Sequence, residues 1–217
     1  MPEPIPIVFM PHNEPYLGRA TVFAFDNSIS FSLWVNRSIA EYTHRPLNLT
    51  DIQTAATQVI PQGINLALSI RELVRQAYLF ASLVLVRPLI ERAAIISYLC
   101  AHPEALPAWR NDWQFRERPS LATMLQTMAG DDVDIETTKK ICEHYGHIIH
   151  GDPIGAEWDK VPLDDSRFGY SVGKMLNSPD LCDEICIYGQ SMLTVLIGRA
   201  ISCFPEVKPP GRPDAAG

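Results

Sequence analysis

Three histidines stand at three-residue intervals in the stretch EHYGHIIHGDP, residues 143–153. An imidazole titrates near neutral pH, so this spacing suits acid/base catalysis, metal ligation or contact with a nucleotide. On a helix, successive residues rotate by about 100° around the axis. Glu143, His147 and His150 then gather on one side, which we call the histidine face. We expect this face to meet water, a groove or a partner.

The opposite side of the same stretch is apolar and predicts a core-facing stripe on a helix. Its members are Ile141, Tyr145, Ile148 and Ile149. His144 lies on the flank of this stripe. Gly151 suits the residue after a helix C-terminus and Pro153 cannot continue a helix, so His150 is predicted in the last turn. There the helix dipole favours its protonated form.

Metal ligation is one interpretation of the histidine face, because imidazole and carboxylate are ligands that zinc and iron accept. Di-iron bundles use a Glu-x-x-His motif on each of two helices. Here Glu41 to His44 is the single match to this motif, so only one of the two copies that a di-iron site needs is present. The alternative is a face that is solvated or packs on another subunit. We expect no metal and no cofactor.

Other catalytic classes have no signature in this chain. The sequence contains no Gly-x-Ser-x-Gly nucleophile elbow, no Gly-x-Gly-x-x-Gly and no Walker pattern of glycine and lysine. These motifs carry the strained serine turn or the phosphate cradle that such enzymes need. We therefore do not expect a serine hydrolase or an NTPase of those folds.

A second set of charged residues lies in RPLIER, residues 87–92, between two apolar runs. Arg87 and Glu91 are four residues apart and are predicted to pair along one helix, while Arg92 projects about 100° further round. Charges between apolar runs are costly unless they are paired. A structural ion pair is the commoner explanation, and an active-site role is the alternative.

Arg71 and Arg75, four residues apart, add positive charge to the preceding helix. If they converged with Arg92 near the histidine face, they would form a groove suited to phosphate. The sequence leaves this convergence open.

Composition predicts one soluble domain. The chain has 217 residues, is 47% hydrophobic and carries a net charge of -7, which argues against a broad surface for duplex nucleic acid and leaves room for a local basic groove. Its five cysteines form no Cys-x-x-Cys pair, so reduced thiols in the cytoplasm fit best. We find no secretory signal at the start. The apolar run 77–86 is too short to span a membrane, and we expect no membrane association.

The predicted organisation has three parts: an irregular, proline-rich segment 1–25, one helical domain 26–204 and a disordered tail 205–217. A short extended piece is allowed at 21–25. Helices are predicted from 26–28 to before Pro46, from Thr50 or Asp51 with a break or kink at Pro61, from Gln62 to Val86, and from there to Pro103. A short helix over 120–128, the histidine helix and a final helix over 178–203 follow. An irregular crossover precedes the last helix, and no strand alternation is evident. The fold class is an all-α, antiparallel helical bundle.

LVLVRPLIERAAIISYLCAHPEALPAW, followed by HYGHIIHGDP, resembles a bacterial family of helical bundles that is similar to the HEPN superfamily of nucleotide-binding proteins. The likeness covers about residues 50 to 203. It implies a HEPN-like bundle. In HEPN ribonucleases an Arg-x4-6-His motif lies at a homodimer interface and faces the RNA phosphate. The histidine of that motif matches His150 and, less directly, His147.

The arginine of that motif has no counterpart, because positions 143 to 145 hold Glu143, His144 and Tyr145. Lys140 is the nearest upstream cation, with six residues between it and His147. Lysine lacks the planar fork with which arginine grips phosphate.

Two hypotheses follow. In the first, the chain is a cytoplasmic, dimeric HEPN-like protein that binds RNA or a nucleotide and acts as a metal-independent endoribonuclease. His150 or His147 would serve as general acid or base and Arg92 or Lys140 would stabilise the phosphate. The resemblance implies a toxin or antiphage role. In the second, it is a non-catalytic interaction or scaffold bundle that uses the histidine face as an interface with another subunit or with a protein partner. The candidate binding residues are Glu143, Arg87, Glu91, Arg71, Arg75 and Asp152.

Overall fold

A computed structural model of the chain describes residues 14–44, 48–114, 117–130, 135–150, 160–164, 167–170 and 173–207. Within these ranges lie seven α-helices, one short 3-10 helix and a two-stranded sheet. The helices are α1 (Ala20–Thr43), α2 (Asp51–Arg75), α3 (Leu79–Ala101), α4 (Leu106–Arg110), α5 (Leu121–Ala129), α6 (Ile135–His150) and α7 (Pro179–Cys203), with the 3-10 turn at Pro103–Ala105. The strands are β1 (Lys160–Asp164) and β2 (Arg167–Tyr170). The all-α helical bundle that the sequence predicted is confirmed.

Helix α1 begins earlier than the sequence suggested. It starts at Ala20 rather than near Asp26, so residues 20–25 are helical and neither irregular nor extended. The last proline before it is Pro15, after which every residue has an amide hydrogen to donate. Val22 and Phe25 are buried on the same side as the rest of the helix. Residues 1–13 and 208–217 lie outside the described ranges.

Helix α2 continues through Pro61 to Arg75, so the predicted break there is wrong. Its start is as predicted: the Thr50 side chain and Gln53 form a reciprocal capping box. The predicted helix from Gln62 to Val86 is instead divided by a turn. The amides of Ala77 and Tyr78 donate to the carbonyls of Val74 and Leu73, at 2.9 Å each. This pattern is the Schellman motif that ends many helices.

Four long helices form the core. The first three are antiparallel to one another in chain order: Arg71 near the end of α2 pairs with Asp26 near the start of α1, and Ser82 near the start of α3 donates to the carbonyl of Ile70. Helix α7 is parallel to α1 and α3, because the long connection after α3 returns the chain to the other end of the bundle. Arg19 and Asp183 pair where α1 and α7 begin.

The remaining helices lie outside this core. Helices α5 and α6 pack on each other and on α3, where Ile90, Leu121, Leu125 and Ile141 line one small gap between the three helices. The crossover after α6 is not wholly irregular, since β1 and β2 pair antiparallel, with Lys160 opposite Tyr170. Strands of five and four residues are too short for a clear alternation pattern, which explains why the sequence did not predict them.

One described helix, α7, is long and apolar enough to cross a membrane by length and composition. The same helix contacts α1, α2 and α3 and buries ten residues against them. A central core helix passes such a test equally well. The run 77–86, which we considered from the sequence, includes the α2–α3 turn.

Candidate functional site

Helix α6 places the histidine stretch as predicted, with a polar and an apolar side. Tyr145 and Ile148 are buried and Ile141 is half-buried. Ile149 was also expected in the core, but its side chain is 38% exposed. Ile149 therefore lies at the exposed edge of the apolar stripe.

The histidines differ in their surroundings. Glu143 and His150 are exposed, whereas His147 is half-buried. His144 lies on the flank of the apolar stripe, where its Nε2 is 3.6 Å from Oε1 of Glu184 on α7. The side predicted to face away from the core therefore does so at Glu143 and His150.

Tyr145 anchors α6 to α7. Its ring is 2% exposed and meets the ring of Tyr188 edge to face, with 5.5 Å between centroids. Burial raises the pKa of the Tyr145 hydroxyl, and the neighbouring Tyr188 and Glu184 raise it further. A phenol whose pKa is raised in this way stays neutral and gives up its proton poorly, so Tyr145 is a structural contact.

Arg87 and Glu91 pair as the sequence predicted. The Nε of Arg87 is 3.3 Å from Oε1 of Glu91, and both side chains are largely buried. The same guanidinium donates from Nη1 to the carbonyl of Cys142 on α6, at 3.2 Å. A Cβ on Gly146 would lie 3.4 Å from that nitrogen, so α6 passes close over Arg87. Arg87 therefore holds α6 against α3, which favours the structural explanation.

The arginines of α2 are engaged elsewhere. Arg71 donates from Nε and Nη2 to the two carboxylate oxygens of Asp26, at 2.6 and 3.0 Å, and also pairs with Glu14. Arg75 pairs with Glu72 on its own helix. Both guanidinium charges are thus balanced by carboxylates near the α1 side of the bundle.

Arg92 lies far from Arg71. Its Nε donates to Oε1 of Gln62 at 2.8 Å. Gln62 and Arg71 are nine residues apart on α2, which corresponds to about 13 Å along the axis. On α3, Arg92 also points about 140° away from Arg87, which faces α6. Arg71, Arg75 and Arg92 therefore do not converge, which answers the question that the sequence left open. Sequence spacing placed each arginine on a helix but could not show which helix packs against it.

Lys140 is exposed on α6. It lies seven residues before His147, so the two share one side of the helix with a rise of about 10 Å between them. Asp152 lies outside the described residues. Among the residues that the structure describes, no three His, Cys, Asp or Glu side chains are grouped so that they could hold a metal ion.

The structure presents a surface that the sequence did not single out. Helices α1 and α7 leave an apolar groove of about 260 Å³ between them. We call the surface around it the α1–α7 face; it comprises Phe31, Ile187, Thr194, Gly198 and Ile201. Phe31 is 44% exposed and Ile187 is 51% exposed. A signal existed in the sequence: Arg199 is the only charged residue between 187 and 202.

Arg199 does not interrupt this surface. Its Nε donates to the Ser97 hydroxyl on α3, on the other side of α7. The exposed residues of α7 along the groove are consequently uncharged.

Comparison with protein-family models, with curated proteins and with solved structures finds no match to this chain.

Proposed function

We propose that this chain is a non-catalytic interaction bundle whose α1–α7 face binds a second copy of itself. The observation that carries this proposal is the apolar, uncharged groove between α1 and α7. Removing exposed apolar surface from water stabilises a complex by about 25 cal/mol per Å² of surface buried. A continuous patch of them is typical of a protein–protein interface.

A second copy suits this surface because the face carries no charge. In a twofold dimer each residue near the axis meets its own equivalent, so a charged residue there would meet a like charge. The exposed members of the α1–α7 face are an aromatic, two isoleucines, a threonine and a glycine, none of which repels its equivalent. Asp26 of α1, which is charged, is turned toward Arg71.

The dimensions of the face predict a small interface. Ile187 and Ile201 are 14 residues apart on α7, which corresponds to about 21 Å along the axis. Two helices side by side are about 20 Å wide. The resulting area of about 400 Å² is about half of the roughly 800 Å² that each partner buries in a standard interface, so we expect a weak dimer that depends on concentration.

The arrangement of cations supports a role without catalysis. Arg71, Arg75 and Arg87 each pair with a carboxylate. A paired guanidinium must give up its carboxylate before it can bind a phosphate. Phosphate binding is therefore weaker by the free energy of the ion pair that is lost. In this proposal, a phosphate-binding groove formed by Arg71, Arg75 and Arg92 has no role.

Sedimentation of the purified full chain tests the proposal. We expect a concentration-dependent dimer for the wild type and a monomer for Phe31→Asp and for Thr194→Arg. Leu33→Asp is the matched control, since Leu33 is also 44% exposed on α1 but points about 160° away from Phe31. This control should remain dimeric. A wild type that stays monomeric at about 100 μM, or a Phe31→Asp variant that still dimerises, would overturn the proposal.

A HEPN-like endoribonuclease is the second candidate, and the position of His150 is the observation in its favour. His150 is exposed at the end of α6, on the side that also carries Lys140 and His147. In this mechanism a histidine removes the ribose 2'-hydroxyl proton or protonates the leaving oxygen, and Lys140 balances the phosphate charge. The toxin or defence role belongs to this candidate through the resemblance, and the cytoplasmic location is the one that its unpaired cysteines suggest.

Cleavage of labelled RNA in the presence of a chelator tests this second candidate. Cleavage by wild type that His150→Ala abolishes would support it. His102→Ala is the control, because His102 is on α3's C-terminal side and pairs with Glu104. The absence of cleavage by wild type at any concentration would leave the interaction bundle as the function.

A further inference from the structure

Two cysteines from different helices lie side by side at one end of the bundle. Cys100 is in the last turn of α3 and Cys203 is the last residue of α7. Their sulfur atoms are 3.6 Å apart, although the residues are 103 positions apart in the chain. Both are free thiols.

The two helix ends are held together by other contacts. Arg199 of α7 donates to the Ser97 hydroxyl of α3 at 3.2 Å. Gln53, near the start of α2, donates to the carbonyl of Cys203 at 3.1 Å. The sulfur atoms are therefore kept close by the packing of three helices. Closing from 3.6 Å to a disulfide bond length of about 2.05 Å needs only a small adjustment.

The pair is asymmetric in exposure and in acidity. Cys100 is half-buried, whereas Cys203 is 8% exposed. The hydrogen bond from Cys203 lowers the pKa of the Cys100 thiol to about 7, and the nearby Arg199 cation acts in the same direction. The pKa of Cys203 is raised by the same contact and by burial. Cys100 is thus the more nucleophilic sulfur at neutral pH, and it is the one that solvent reaches.

We propose that Cys100 and Cys203 are an oxidation site, which forms a reversible disulfide when the protein meets a peroxide. This inference is independent of the proposed function, because neither residue belongs to the α1–α7 face or to the histidine face.

The reaction has two steps. The Cys100 thiolate attacks one oxygen of hydrogen peroxide, a sulfur–oxygen bond forms, the oxygen–oxygen bond breaks and hydroxide leaves. The Cys203 sulfur then attacks the resulting sulfenic acid, loses its proton, and displaces water as the sulfur–sulfur bond forms. Two thiols are oxidised by two electrons in total, and one peroxide is reduced to two waters.

The other cysteines provide internal references. Cys142 is half-buried on α6, but burial raises the pKa of its thiol, so its reaction with peroxide is expected to be slower. Cys182 and Cys186 are both fully buried on α7 and should be protected from peroxide in the folded chain.

The test is peptide mass mapping of the full chain after brief treatment with hydrogen peroxide and alkylation of the remaining thiols. The expected product is one intramolecular link between the peptides that contain Cys100 and Cys203, reversed by dithiothreitol. The disulfide closes a long loop and should raise Tm by about 10 °C in non-reducing buffer. Cys142→Ser should form the same link at the wild-type rate.

Variants separate the two steps. Cys203→Ser, or Cys203→Ala if the serine variant fails to fold, should accumulate sulfenic acid at Cys100 that dimedone traps. Cys100→Ser should form no link. If the wild type keeps Cys100 and Cys203 reduced while Cys142 is oxidised, or links through other cysteines, the proposal is wrong.

Discussion

The guanidinium of Arg87 on α3 donates to the main-chain carbonyl of Cys142 on α6 at 3.2 Å. The same group pairs with Glu91 one turn along α3. One arginine thus bonds both a carboxylate on its own helix and the backbone of the neighbouring helix. The peripheral helix that carries the histidines depends on this contact for its position over the bundle.

Arg87→Ala should therefore destabilise the fold. It removes the bond to α6 and leaves the partly buried Glu91 carboxylate without its cation, which we expect to lower the free energy of unfolding by about 2 kcal/mol. Urea denaturation measures the change. Arg37→Ala is the control, since Arg37 and Glu41 have the same i,i+4 spacing but are 80% and 65% exposed. That variant should cost less than about 0.5 kcal/mol. Equal losses in the two variants would contradict a positioning role for Arg87.

Ala77→Gly should stabilise the chain. Ala77 ends α2 with a φ of 63°, a left-handed conformation that costs a residue with a Cβ about 1–2 kcal/mol. Loss of its buried methyl offsets about 0.8 kcal/mol of this gain. We expect a net gain of about 0.5 kcal/mol in urea denaturation. Ala40→Gly, at an exposed position within α1, should instead lose about 1 kcal/mol, and a loss of that size at Ala77 would contradict the prediction.

Two glycines of α7 should respond to alanine in opposite directions. A Cβ on Gly189 would lie 2.6 Å from Cζ of Phe25, within a buried contact of α1, whereas a Cβ on Gly198 would meet nothing within 4 Å. Gly189→Ala should lower the free energy of unfolding by about 1–3 kcal/mol through overpacking. Gly198→Ala should raise it by about 0.8 kcal/mol through helix propensity. Thermal unfolding of both variants checks the signs, and a stabilised Gly189→Ala would contradict the close approach.

Asp183 should make stability depend on pH in the acid range. The hydrogen bond from Arg19 holds the pKa of the Asp183 carboxyl below its ordinary value of 3.8, and the Thr21 hydroxyl adds to this effect. A carboxyl whose pKa is lower in the folded state stabilises the fold above its unfolded pKa, and the stabilisation is lost as pH falls through the folded pKa. Asp183→Asn should therefore cost about 1 kcal/mol at pH 7.

The difference between wild type and Asp183→Asn should shrink as pH is lowered below 3.8. Urea denaturation at several pH values measures it. Glu41→Gln is the control because its partner Arg37 is highly exposed, and it should change stability little at any pH. A cost for Asp183→Asn that stays constant down to pH 2 would show that the charge of the carboxylate does not contribute.

Sequence patterns predicted those features whose cause is local. Helix α6 has one apolar and one polar side, so its periodicity placed Tyr145 and Ile148 in the core correctly. The start of α2 was predicted at Thr50 or Asp51, and a capping box formed by Thr50 and Gln53 fixes it there. The turn after α2 was missed because Ala77 occupies a position where glycine is the usual signal.

The features that the sequence did not predict depend on which helices pack against each other in the folded chain. The spacing of Arg71 and Arg92 placed each on a helix, but their partners Asp26 and Gln62 are set by packing between helices. The α1–α7 face was missed because a helix sequence with almost no charged residues predicts a helix that is buried on all sides. Only the arrangement in three dimensions shows that one of its sides is uncovered.

The order of the elements along the chain also has a consequence for biosynthesis. Helix α7, which contacts α1, α2 and α3, is made after all three of them. Until α7 emerges from the ribosome, the three earlier long helices have an open seam at residues such as Phe25 and Gly63, which lie against Gly189 and Leu196 of α7 in the folded protein. The nascent polypeptide therefore needs protection from aggregation until α7 emerges, and messages truncated before Pro179 should yield insoluble product.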